Sequence, residues 1–105
     1  MYKLIVMYPR PSDPDDFIDY YLTQHIPLIE KLPGLKSASY GRVVSVKSPN
    51  FLIFEALFEN RVMLDEAMNS EVGKALAADI PNYSPLGATV LITSVEGVDL
   101  APEPI

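Results

Sequence analysis

The sequence predicts one α+β domain whose elements follow the order β-α-β-β-α-β. Short apolar runs typical of strands occur at 2–8, 35–46, 51–58 and 87–95, bounded by proline, glycine and other turn residues. Helical periodicity separates the first run from the second and the third from the fourth. This order predicts the ferredoxin-like, or split βαβ, arrangement, which is a four-stranded antiparallel sheet with both helical stretches on one face.

The first helix has a strong start signal in "SDPDDF". Asp13 can accept hydrogen bonds from the first free amides, Pro14 suits the first helical position, and the next two aspartates favour the positive end of the helix dipole. Pro27 lacks an amide hydrogen and crowds the preceding turn, so we expect a bend beside it. One helical stripe ends at Pro33-Gly34 and comprises Phe17, Tyr21, His25, Leu28 and Leu32.

The second half of the chain carries its own start and stop signals. Gly41 is expected to bend the second strand, and Asn60 is expected to cap the next helix. Ser70 can cap a further helical segment, "EVGKALAADI", which Pro81 is expected to stop. Tyr83 would then lead into the last strand.

Length and composition exclude several classes of protein. The 105 residues fit a single domain, 1–105, in which 96–105 form an extended tail. The net charge of −6, with scattered basic residues, argues against a nucleic-acid partner. The chain has no cysteine, which removes disulfides and thiolate sites, and no stretch typical of a membrane span or signal peptide. We therefore expect a cytoplasmic protein without a membrane partner.

The predicted sheet is apolar on both faces, although the helices can cover only one of them. A bare face of this width exceeds what a soluble monomer usually exposes. We therefore expect a homodimer that packs sheet against sheet, burying about 800 Å² per subunit. The two faces are Leu4, Val6, Leu52, Phe54, Phe58, Val90 and Ile92 against Ile5, Met7, Phe51, Ile53, Leu57, Leu91 and Val95.

His25 is the only histidine and faces inward with the helical stripe. Histidine titrates near neutral pH, so it is a candidate general acid or base. The alternative is a half-buried histidine that donates to a backbone carbonyl. A zinc site would need two or more carboxylates besides this one histidine, so no metal is expected. No cofactor is expected either, and haem with His25 as axial ligand is a further alternative.

Asp79 and several tyrosines are the other candidate site residues. Asp79 lies near the apolar face at a helix end where the dipole disfavours its charge, or else it is a solvated carboxylate. Tyr21, Tyr40 and Tyr83, together with Tyr20, can line a cavity that has aromatic walls and hydroxyl tips. Packing in the core or an interface explains them equally well.

Two segments carry a family resemblance. "DYYLTQHIPLIEKL", followed far downstream by "ADIPNYSPLGATVLITSV", resembles the EthD family of the dimeric α/β-barrel superfamily. The resemblance spans nearly the whole chain, but the hairpin "KSPN" is shorter than the family's usual one. It implies a ferredoxin-like fold whose sheets pair across a dimer into a barrel. It also implies a cleft between helices and sheet where His25, Asp79 and Tyr83 match family residues.

The resemblance leaves the reaction open, because relatives in the superfamily include cofactor-free oxygenases, isomerases, cyclases, dehydratases and haem enzymes. Our leading hypothesis is a cofactor-independent protein that binds, or transforms, a small apolar or aromatic compound in a catabolic or biosynthetic pathway. His25 and Asp79 would be catalytic, and Tyr21, Tyr40 and Tyr83 would bind substrate. The alternative is a non-catalytic binding or assembly module with a structural histidine.

Overall fold

A single antiparallel sheet with the strand order β2-β3-β1-β4 forms the centre of the protein. The computed structural model describes residues 1–101. The predicted order of elements is confirmed, with each helical stretch built from two helices. The strands are β1 (Tyr2–Pro9), β2 (Ser37–Arg42), β3 (Asn50–Phe58) and β4 (Thr89–Ser94), and the helices are α1 (Pro14–Tyr20), α2 (Ile26–Ile29), α3 (Arg61–Asn69) and α4 (Glu71–Tyr83).

A π-helical turn over Tyr21–His25 joins α1 to α2. The Asp13 side chain caps α1 as predicted, accepting a hydrogen bond of 3.1 Å from the amide of Asp16. At the other end of the π-helical turn, the amide of Ile26 bonds to the carbonyl of Tyr21, five residues back. The interruption expected beside Pro27 is thus a wider turn that holds one extra residue.

The extra residue changes which side chain faces the core after His25. In a uniform α-helix the 12 positions from Phe17 to Ile29 would span about 3.3 turns, but one inserted residue reduces this to about three. Phe17, Tyr21, His25 and Ile29 consequently lie on one buried face. The prediction that Leu28 continues the stripe was therefore wrong, since Leu28 is only half-buried and Ile29 takes its place.

The caps predicted for the second half are present, but Pro81 does not end α4. Asn60 accepts from the amide of Met63, and Ser70 accepts from the amide of Gly73. The helix continues to Tyr83, because a proline in the last turn removes only one backbone hydrogen bond. Tyr83 therefore ends α4 and does not lead into the last strand as expected.

Strand β2 is shorter than the apolar run that predicted it. The paired register with β3 ends at Arg42, and the Val43 amide still donates to the carbonyl of Phe51 at 2.8 Å. Beyond it the chain extends into solvent, with Val44 and Val46 90% and 88% exposed. The Arg10 side chain holds this connection by donating to the carbonyls of Ser45 and Ser48. Residues 96–101 carry no regular structure, and the rest of the predicted tail lies outside the described residues.

Within residues 1–101, helices cover one face of the sheet and leave the other open. The covered face contributes core side chains that include Leu4, Val6 and Tyr8 of β1 and Phe54, Ala56 and Phe58 of β3. On the open face β3 presents the half-buried Ile53 and Leu57, and β4 presents Leu91, which is 43% exposed. An ion pair of 3.8 Å between Lys3 and Glu55 adds charge to the same face. The open face thus combines apolar side chains with one ion pair.

Phe51 was assigned to the open face, and this was wrong. The pairing partner changes from Leu52 at Tyr8 to Asn50 at Pro9, so Phe51 is an extra residue in β3. Such a bulge redirects a side chain. The Phe51 ring packs edge-on against Phe17 of α1, with centroids 5.2 Å apart. Phe51 therefore belongs to the core beneath the helices.

Helices α3 and α4 meet closely at Gly73, in the first turn of α4. A methyl group added there would clash with the carbonyl oxygen of Ala67. Only glycine allows this approach of the two backbones. Within residues 1–101, no helix has both the length and the apolar character needed to cross a membrane.

Candidate active site

A cleft of about 90 Å³ opens between the helices and the sheet. Its walls are apolar and come from β1, β3 and β4 below and from α2, α3 and α4 above. Among the side chains that line it, only Tyr8 and His25 carry an oxygen or nitrogen atom. An apolar pocket with few polar groups is the usual form of a small-molecule site.

The imidazole of His25 is held by a carboxylate from α4. His25 Nδ1 lies 2.9 Å from Asp79 Oδ2, and the His25 residue is only 4% exposed. The other carboxylate oxygen, Oδ1, accepts from the Tyr20 hydroxyl at 2.7 Å and from the Asn82 side-chain amide at 3.0 Å. Asp79 thus has three hydrogen-bond donors around it and fixes the orientation of the imidazole ring.

The second nitrogen of His25 contacts a chain of tyrosine hydroxyls. Tyr83 Oη lies 3.2 Å from His25 Nε2 and 2.7 Å from the hydroxyl oxygen of Tyr8. Asp79 and Tyr83 are four residues apart, so α4 presents both on one face to the same imidazole. The continuation of α4 past Pro81 is what makes this geometry possible.

Burial and hydrogen bonding set the charge states of the pair. Burial lowers the pKa of His25 below its usual 6.5, and the neighbouring Asp79 offsets this only partly. Burial by itself would raise the pKa of Asp79. Hydrogen bonds from Tyr20, Asn82 and His25 outweigh that effect and hold the pKa below its usual 3.8. At neutral pH the site therefore contains a neutral imidazole and an ionised carboxylate.

Stacked and edge-on aromatic rings surround the pair. The ring of Tyr21 stacks on His25, with centroids 5.3 Å apart, and meets Tyr8 edge-on at 5.7 Å. Burial raises the pKa of both Tyr21 and Tyr83, so both phenols stay protonated. The Tyr21 hydroxyl is the one buried side-chain oxygen or nitrogen without a hydrogen-bond partner in the described part of the chain.

The structure brings together four of the five residues predicted for the site. His25, Asp79, Tyr21 and Tyr83 form one cluster, with His25 and Asp79 within hydrogen-bond distance. Tyr40, on the edge strand β2, touches the ring of Tyr21 edge-on but is 44% exposed and takes no part in the hydrogen-bonded chain.

Three polar contributors were not among the predicted site residues. Tyr8 ends β1 on the same face as Leu4 and Val6, and this alternation was a signal that it points under the helices. Tyr20 was considered only as a cavity-lining residue. Asn82 gave no signal, because its role follows from the continuation of α4 past Pro81.

The cluster does not have the composition of a metal site. In the described residues there is no group of three or more histidine, cysteine, aspartate or glutamate side chains able to hold a metal ion. Haem ligation by His25 Nε2 would require that nitrogen to give up its contact with Tyr83.

Comparison with known proteins places the chain among small proteins of the same fold. It matches no protein-family model. It is 31% identical over 101 residues to an uncharacterized 11.0 kDa protein from the thcB-thcC intergenic region of Rhodococcus erythropolis, covering 93% of this chain and 98% of that protein. The fold is also shared with SnoaB, a cofactor-independent oxygenase from Streptomyces nogalater, at 10% identity and a TM-score of 0.70, over 92% of this chain and 94% of that chain.

A solved structure gives the family. The ethyl tert-butyl ether d (EthD) family protein of Bacillus halodurans superposes with a TM-score of 0.86 at 30% sequence identity. The match covers 91% of this chain and 99% of that chain. Identity at this level over nearly both full lengths makes the chain a member of the EthD family.

Proposed function

We propose that this protein binds a small apolar or aromatic compound in the cleft and transforms it by acid–base chemistry without a cofactor. His25 is the general acid or base, and Asp79 orients it. The observation that carries the proposal is the 2.9 Å contact between His25 Nδ1 and Asp79 in the wall of an apolar cleft. A carboxylate on one imidazole nitrogen leaves the other available for proton transfer.

The tyrosines have distinct roles in this proposal. Tyr83 links His25 Nε2 to Tyr8, so a proton can pass between the imidazole and the cleft through two hydroxyls. Tyr21 contributes a buried hydroxyl next to Tyr8, and Tyr40 borders the outer side of Tyr21. All three would help to position the substrate.

The reaction class is a cofactor-free oxygenation, isomerisation, cyclisation or dehydration. A catabolic or biosynthetic pathway is the proposed setting, and the name of the family makes ether degradation one such pathway. A cytoplasmic location also remains a prediction from the sequence.

The proposal is tested by binding and turnover of small phenols and quinones. Calorimetry measures binding, and mass spectrometry detects the products formed by wild type and by His25→Ala. We expect wild type to bind one of these compounds and the variant to lose at least about 100-fold in turnover, because general acid–base catalysis contributes this much. Tyr2→Phe is the matched control at the opposite end of β1. Equal binding and turnover by His25→Ala would show the assigned role to be wrong.

A non-catalytic binding module is the second candidate function. The observation that favours it is that both ring nitrogens of His25 already have partners inside the protein. In that case His25→Ala would lower the free energy of unfolding by about 1–3 kcal/mol while leaving ligand binding intact, and wild type would show no turnover.

We further propose a homodimer formed through the open face of the sheet. Ile53, Leu57 and Leu91 lie on this face together with the ion pair of Lys3 and Glu55. The pairing of two such faces gives the dimeric α/β barrel that the family resemblance implies, and it removes apolar surface from water.

Sedimentation tests the dimer. Wild type at micromolar concentration is expected to sediment as a species of about twice the chain mass of 11.6 kDa. Ile53→Lys should shift it to monomer, because the lysine would place an unpaired charge in the interface. Val62→Lys, at an exposed position of α3, should remain dimeric. A wild-type protein that sediments as a monomer would contradict the proposal.

A further inference from the structure

Hydrogen bonds link Asp79 to His25, His25 to Tyr83, and Tyr83 to Tyr8. Each of them is donated toward Asp79. The ionised Asp79 can only accept, so the proton at the 2.9 Å contact belongs to His25 Nδ1. A neutral imidazole that is protonated at Nδ1 has a bare lone pair at Nε2. The 3.2 Å contact with Tyr83 must therefore be donated by the Tyr83 hydroxyl.

The same direction of donation holds as far as Tyr8, which lines the cleft. Tyr83 has a single hydroxyl proton, and His25 Nε2 takes it. The 2.7 Å contact between the two hydroxyls must then be donated by Tyr8. Tyr8 consequently has no free proton, and its oxygen can offer only lone pairs to anything bound in the cleft that it lines.

Tyr21 adds no second polar group to the cleft. Its hydroxyl is fully buried, and Tyr21 is not one of the residues that line the cleft. The Tyr21 ring lies against Tyr8 with centroids 5.7 Å apart, and burial raises its pKa, so its hydroxyl stays protonated beside Tyr8. Tyr8 is therefore the hydroxyl that a ligand in the cleft meets.

We propose that the cleft selects small apolar compounds that carry a hydroxyl group. The ligand O–H donates to Tyr8 Oη in the wall of the cleft. A ketone, ether or carboxylate of the same shape places an acceptor against the acceptor Tyr8 and is disfavoured. This inference rests on the proposed function, and it identifies Tyr8 as the residue that determines specificity.

Cyclohexanol and cyclohexanone test it, because they have nearly the same shape and differ in their ability to donate. Both are titrated by calorimetry at about pH 8, where His25 is neutral. Wild type is expected to bind the alcohol at least about tenfold more tightly than the ketone. Tyr8→Phe should reduce this preference to about twofold or less. Tyr2→Phe should keep the wild-type preference.

Nitrogen NMR of His25 provides a test that does not depend on a ligand. The inference requires Nδ1 protonated and Nε2 bare at about pH 8, and a proton on Nε2 would overturn it. Equal binding of both probes, unchanged in Tyr8→Phe, would also overturn it while leaving the proposed function intact. Binding of neither probe would overturn this inference, whereas the proposed function is decided separately by the binding and turnover of phenols and quinones in wild type and His25→Ala.

Discussion

Asp79→Asn is expected to lower the free energy of unfolding by about 2–3 kcal/mol, because hydrogen bonds to a charged group are worth this much. For a domain of this size the melting temperature should fall by roughly 10–20 °C. The carboxylate accepts from three donors, namely Tyr20, Asn82 and His25. An asparagine has a single acceptor oxygen and cannot serve all three.

The same substitution should change which nitrogen of His25 carries the proton. If the asparagine oxygen keeps the bonds from Tyr20 and Asn82, its amide group points at His25 Nδ1. Nδ1 must then accept, and the proton moves to Nε2. The order of donors along Tyr83 and Tyr8 would reverse, and the preference for alcohol over ketone should be lost.

Thermal unfolding and nitrogen NMR measure these two effects. The control is Asp65→Asn, which removes an exposed ion pair with Arg61 within α3 and should change stability by less than about 0.5 kcal/mol. A variant at Asp79 that is as stable as wild type, with the histidine proton still on Nδ1, would show that the carboxylate does not hold the imidazole.

The stability of the protein is expected to fall on both sides of a plateau in pH. The pKa of folded His25 lies below 6.5, so the unfolded chain takes up a proton first as the pH falls, and stability is lost below about 6.5. A second loss follows below about pH 3.8, because the folded-state pKa of Asp79 is also lowered. Tyr8, Tyr21 and Tyr83 have raised pKa values, so stability is lost above about pH 10, where only the unfolded chain releases these protons.

Melting temperatures recorded across the pH range check this profile. Because the chain has one histidine, His25→Gln should remove the change in melting temperature between pH 7 and 5. The losses of stability below about pH 3.8 and above about pH 10 should remain. An unchanged slope between these pH values in the variant would mean that another group is responsible.

The parts of the fold that depend on local chemistry could be predicted from the sequence. Asp13, Asn60 and Ser70 cap helices because their side chains reach amides three residues ahead, which is a property of a few adjacent residues. The ferredoxin-like arrangement followed from the order of strands and helical stretches along the chain. The inward position of His25 also followed from spacing along one helix.

The parts that depend on tertiary contacts could not be predicted in the same way. Pro81 is a helix breaker by itself, yet in the last turn of α4 it removes only one backbone hydrogen bond, and the helix continues far enough to bring Tyr83 to His25 beside Asp79. The redirected Phe51 depends on a bulge in the pairing of β3 with β1, which no local pattern marks. Distances between α4 and the first helical stretch decide whether His25 and Asp79 meet, and these arise only from the assembled layers.

The π-helical turn over Tyr21–His25 means that the site tolerates the loss of one residue. Deleting a single residue between Tyr21 and His25 would restore an ordinary helix, and the 11 positions left between Phe17 and Ile29 would still make about three turns. The imidazole would keep its direction toward Asp79. A relative with such a deletion would keep both the family's shape and its acid–base pair.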